Sequence, residues 1–112
     1  MTFNAEPQFL FTDSEAVPWI DSKYARGVQV KNLGKANGRG LQLVRFEPGA
    51  SFPRHLHDGA EFIFLIDGEA VQNGKRLGRG WASVAEKGTT DESFHSETGC
   101  VFLLCYALLP SQ

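Results

Sequence analysis

Residues 49–68 read GASFPRHLHDGAEFIFLIDG, and the fold turns on how this stretch is read. Pro53 disfavours a helix immediately ahead of His55-Leu56-His57. In an extended strand, alternate residues point to one side, so His55 and His57 present both imidazoles to one point in space. The Asp58-Gly59 pair then bends the chain and lets Glu61 approach that point from the next strand. Two imidazoles and a carboxylate on one side of an ion form the arrangement of non-haem Fe(II) sites, which keep open positions for substrate or oxygen. The competing reading is a pair of surface histidines beside a solvated glutamate. Against it, Glu61 directly precedes five apolar residues, Phe62 to Ile66, and a carboxylate buried there needs a cation or donors to offset its desolvation.

Outward from this stretch, turn signals follow closely: Asn32 to Gly40, Pro48-Gly49, Asp67-Gly68, Asn73-Gly74, Glu86 to Gly88 and Thr98-Gly99. The spacing leaves room for strands but not for long helices. Strands are expected over Gly27–Lys31, Leu41–Phe46, Glu61–Ile66, Glu69–Gln72, Gly80–Ala85 and Cys100–Leu108. Asn73-Gly74 is the strongest hairpin signal, because both residues tolerate the positive φ of a type I′ turn. Many short strands with frequent turns mean a sandwich or a barrel. Several are apolar on both faces, which suits strands covered inside by the barrel and outside by a second sheet or a second subunit. Residues 1–18, with the apolar Phe9-Leu10-Phe11, read as an arm ahead of a barrel domain spanning 19–112, and a homodimer is expected.

The chain has 112 residues, 42% of them hydrophobic and 21% charged, which fits one domain with a packed core. The net charge is −2 and lysine and arginine are scattered, which argues against nucleic acid or an anionic membrane as a partner. The N-terminus lacks a basic start followed by an apolar block, and the longest apolar run, Cys100–Leu109, is too short to span a bilayer as a helix. A cytoplasmic location is expected. Cys100 and Cys105 fall on opposite faces of one strand and are expected to be unpaired thiols.

Weaker features carry less chemistry. The glycine-rich Gly34 to Gly40 run lacks the Gly-Lys-Ser/Thr ending that phosphate cradling requires and reads as a hairpin loop. Arg45 alternates with Leu41 and Leu43 and is expected at the barrel mouth, paired with an anionic ligand or a nearby carboxylate. Trp19, Trp81 and Tyr106 read as core or interface residues.

The spacing within 49–68 resembles the first signature motif of the cupin superfamily: Gly49, five residues, His55, one residue, His57, three residues, Glu61, six residues, Gly68. The resemblance extends to the ChrR-like branch, carried by Trp19, Arg26-Gly27-Val28, Leu43-Val44-Arg45, Phe52-Pro53-Arg54-His55 and Gly99-Cys100-Val101-Phe102. It implies an all-β fold, a small double-stranded β-helix or jelly-roll barrel. It also implies one divalent metal ion (Fe, Mn, Zn or Ni) held by His55, His57 and Glu61, and a small-molecule ligand or substrate. That branch includes the sensory domain of zinc-dependent anti-sigma factors and some dioxygenases. The anti-sigma members carry a helical domain ahead of the cupin, for which this chain has no length, and that counts against an anti-sigma role.

The second cupin motif is degenerate, because the histidine that would supply a fourth ligand is replaced. Counting forward from Gly80 gives Asp91, counting back from Gly99-Cys100 gives Glu92, and His95 lies nearby but out of register. Two functions remain open: a metal-dependent enzyme, foremost a dioxygenase acting on a small organic molecule, and a non-catalytic module that binds or senses the metal or a small ligand.

Overall fold

The computed structural model of the chain describes residues 6–108, so the first five residues of the expected arm and the last four of the chain lie outside the described residues. The architecture is all-β. Its strands are β1 (Ile20–Asp21), β2 (Val28–Ala36), β3 (Arg39–Phe46), β4 (Ser51–Phe52), β5 (His55–Leu56), β6 (Glu61–Gly68), β7 (Ala70–Gln72), β8 (Lys75–Leu77), β9 (Ala82–Ala85), β10 (Thr90–Asp91), β11 (Phe94–His95) and β12 (Cys100–Ala107). A 3₁₀ turn at Ser14–Ala16, capped by the Asp13 side chain, is the one helical element among the described residues.

Strands β1-β2-β3-β12-β6-β9 form a six-stranded sheet, β4-β11-β7-β8 a four-stranded one, and β5 pairs with β10 in a ribbon. β12 is the spine of the large sheet, antiparallel to β3 from Cys100 opposite Phe46 to Ala107 opposite Arg39, and to β6 on its other side. Period-two alternation turns Val44, Phe46, Ile63, Leu65, Phe102 and Leu104 into the core. Phe46 and Phe102 from the large sheet meet Phe52 and Phe94 from the smaller one, with ring centroids 4.8–6.4 Å apart. Such tilted and edge-on pairs match the aromatic quadrupole, and these four rings weld the two sheets together.

Over β6 and β9, the opposite face of the large sheet is not covered by the described residues. Phe62, Phe64 and Ile66 of β6 are 41%, 47% and 42% exposed, and Val84 of β9 is 62% exposed. Apolar residues on both faces are therefore present, as expected, but only one face is buried among the described residues.

The structure corrects the expected strand ends. β2 does not stop at Lys31 but runs to Ala36, and residues 32–40 are not a loop. A bulge between Asn32 and Gly34 keeps the strand paired, and the reversal is confined to Asn37-Gly38 at φ 49° and 77°, a two-residue hairpin like that at Asn73-Gly74. Strands β7 and β9 begin later than expected, at Ala70 and Ala82. Arg45 does not face the barrel mouth. Its neighbours Val44 and Phe46 are the buried ones, so Arg45 points outward, stacks 4.4 Å from the Trp19 ring and donates to Gln29 Oε1. Cys100 is buried and Cys105, five positions along β12, lies on the outer face; both are free thiols. No helix among the described residues is long and apolar enough to cross a membrane.

Candidate metal centre

The β5–β10 ribbon builds the centre. Antiparallel pairing sets Asp91 directly opposite His55, so their side chains emerge on one face. His57 follows the ribbon and is clamped through its backbone: its N–H donates to Thr89 O and its carbonyl accepts from Gly88 N–H. Ligand atoms of His55, His57 and Asp91 all lie within 4.8 Å of one another. Asp91 Oδ2 is 3.3 Å from His55 Nε2 and 3.4 Å from His57 Nε2. Glu61, at the start of β6, brings Oε2 to 3.3 Å from His57 Nε2, although it is not within the tight group of three.

The partners of the far ring nitrogens fix the near ones. His55 Nδ1 lies 2.9 Å from Pro53 O, which can only accept. His57 Nδ1 lies 3.0 Å from Thr89 Oγ1, whose one proton goes to Glu86 O. Both imidazoles therefore carry their neutral-state proton on Nδ1 and turn the Nε2 lone pair inward. With the imidazoles neutral and the carboxylates ionised, those lone pairs face carboxylate oxygens with no donor among them. His57 and Asp91 are 3% and 4% exposed, so water does not relieve the conflict at the inner end. A divalent cation does. At metal–ligand bonds of about 2.1 Å, neighbouring ligand atoms stand roughly 3.0–3.4 Å apart, the spacing of the three imidazole–carboxylate pairs here.

Burial raises the Glu61 pKa above the usual carboxylate value; the His57 and His55 imidazoles pull it down and Asp91 pushes it up again. Tyr24, edge-on to His55 at 5.7 Å, is likewise raised, first by burial and then by the charges of Glu61 and Asp91.

A relay behind Asp91 escaped the sequence reading. Ser83 Oγ donates to Gln72 Oε1, which turns the Gln72 amide so that Nε2 donates to Asp91 Oδ1 at 2.8 Å. The other carboxylate oxygen is thereby left for the imidazoles, the outer support that metal ligands ordinarily have. Of the other fourth-ligand candidates, Glu92 is exposed and paired with Arg54 at 2.7 Å. His95 follows inward-facing Phe94 on β11, so strand alternation turns it to the other face.

Over His55 and Glu61 opens a cavity of about 620 Å³, walled by Val30, Val44, Phe52, Leu104 and Tyr106. Tyr106 holds its place because its cross-strand neighbour is Gly40, where an added Cβ would come within 2.5 Å of the ring.

Residues 7–109 match the family model of the ChrR Cupin-like domain. The chain belongs to that family. No curated protein matches this cupin. Among solved structures, the acetylacetone dioxygenase of Acinetobacter johnsonii is similar at 12% identity and a TM-score of 0.77, covering 96% of this chain and 78% of that one. An RmlC-like cupin from Shewanella frigidimarina is similar at 18% identity and a TM-score of 0.78, covering 93% and 95%. A chain of the Rhodobacter sphaeroides SigE complex with the anti-sigma ChrR is similar at 22% identity and a TM-score of 0.71, covering 82% and 49%. At these identities the likeness extends to the cupin fold alone.

Proposed function

We propose that this cupin holds one divalent ion through His55, His57, Asp91 and Glu61 and acts as a metal-dependent dioxygenase on a small organic molecule in the adjoining cavity. The observation that carries the reading is the convergence of two imidazoles, each anchored at Nδ1 and turned inward through Nε2, on the oxygens of two carboxylates. Two imidazoles with carboxylates suit Fe(II) or Mn(II), and such an ion, when bound, supplies open positions for substrate and oxygen. The chain's own residues do the rest. The ribbon holds the ligands rigid, Thr89 and Gln72 keep their orientation, and the apolar wall excludes water from a substrate set beside Glu61. An acetylacetone dioxygenase is built on the same fold, so the fold can house this reaction class.

The test is oxygen uptake by Fe(II)-reconstituted protein across small keto, diketone and aromatic compounds. Turnover that disappears in His57→Ala is the expected result. A metal-loaded protein with no turnover on any of them would favour a non-catalytic binding module.

We further propose that the uncovered face of the large sheet packs on a second copy of the chain. Phe62, Phe64, Ile66 and Val84 form a contiguous apolar surface of a kind that monomers rarely leave to water. Phe9 and Phe11, 85% and 89% exposed, add apolar surface in the arm. Light scattering at micromolar concentration should give about twice the 12.3 kDa chain mass, and a species of the chain mass alone would contradict the dimer.

A further inference from the structure

We propose that the cavity over His55 and Glu61 selects an uncharged ligand, an apolar body carrying a carbonyl or hydroxyl group, and turns carboxylates away. This rests on the divalent ion proposed above for its charge balance, and on the cavity lining for the rest.

The balance differs from that of a site with one carboxylate. Asp91 and Glu61 together cancel a divalent cation, so a bound ion leaves no net positive charge to attract an anion. A third carboxylate, partly desolvated against Val30, Val44, Phe52 and Leu104, would then need its own counter-ion. The lining does not provide one. Among the described residues that line the cavity, Lys23 is the sole lysine or arginine, and it lies exposed at the rim. The cations nearest in the fold are committed elsewhere. Arg45 and Lys31 sit over the Trp19 ring on the outer face, Arg39 over Phe62, and Arg54 on Glu92.

Apart from His55 and Glu61 at the centre and the exposed Asp21 and Lys23, the polar groups that line the cavity are neutral. Gln42 Nε2 donates to Asn32 Oδ1 at 2.7 Å across the β2–β3 pair. That bond leaves Gln42 with its carbonyl oxygen and a second N–H, and Asn32 with its NH₂, so the pair offers both a donor and an acceptor to a neutral polar group. The phenols of Tyr106 and Tyr24 add donors on the remaining wall. An apolar wall with a few neutral hydrogen-bonding groups is the pattern of sites that recognise small uncharged molecules.

A matched pair of probes tests this: 4-fluorobenzamide and 4-fluorobenzoate share a ring and differ in the charge of the head group. Fluorine NMR line broadening on zinc-loaded protein should show the amide binding at millimolar concentration and at least about tenfold more tightly than the carboxylate. Gln42→Leu should weaken the amide about fivefold or more, the loss of roughly one hydrogen bond. Asp91→His, which exchanges a negative ligand for a neutral one, should narrow or reverse the preference. Equal or tighter binding of the carboxylate by the wild type, no binding of the amide, or amide binding indifferent to Gln42→Leu would each overturn the proposal. Zinc content measured on the same samples separates the two readings. A zinc-free protein that still prefers the amide removes the metal and keeps the selectivity, whereas a zinc-loaded protein that prefers the carboxylate does the reverse.

Discussion

Asp91→Ala should abolish stoichiometric metal retention, weakening affinity beyond the roughly 10–100-fold that loss of a supporting partner costs a metal site. Asp91 is 4% exposed, faces both imidazoles and is the carboxylate of the tight three-residue group. Alanine there leaves two lone pairs and only Glu61 to balance the ion. Glu92→Ala should retain the metal, because it breaks only a solvent-exposed pair with Arg54, away from the centre. His95→Ala should retain it as well. Gln72→Leu falls between, since it frees Asp91 to turn without removing a ligand. Metal per chain by mass spectrometry gives the ranking, with circular dichroism confirming that each variant is folded. Loss of metal in Glu92→Ala or His95→Ala with retention in Asp91→Ala would reverse the assignment.

Phe102→Ala should be the most damaging change to stability. Its side chain is fully buried and meets the rings of Phe46, Phe52 and Phe94, so truncation opens a cavity where the two sheets join. A buried phenylalanine cut to alanine costs about 3–5 kcal/mol, a large part of the roughly 5–15 kcal/mol that holds a domain folded. Phe64→Ala, on the outer face, should cost far less in the isolated chain. Urea unfolding of both variants measures the difference. Equal losses would mean that the buried and outer faces of the large sheet have been exchanged.

The sequence was most legible where its chemistry is local. His55 and His57 share a side because a single residue separates them, and Asn73-Gly74 announces its turn through its own φ preferences. Non-local features were harder to read. Asp91 and Glu92 differ by one position, and only the antiparallel register against His55 decides which enters the centre. Gln72 and Ser83 sit on different strands in different sheets, so nothing near either residue signals their link to Asp91. Arg45 was misplaced because Leu41 and Leu43 make one face of β3 look as apolar as the face carrying Val44 and Phe46. Alternation gives the period but not its phase. The two-residue strands β1, β4, β5, β10 and β11 are too short for any periodicity, and they exist because pairing partners are brought to them.

The most direct test is the metal content of wild-type protein expressed with Fe, Mn, Zn and Ni supplied and purified without oxygen. One tightly held divalent ion per chain, lost on substitution of His57 or Asp91, is the result that the geometry of the centre predicts. A folded chain that carries no stoichiometric metal, and binds none on titration with any of the four, would contradict it.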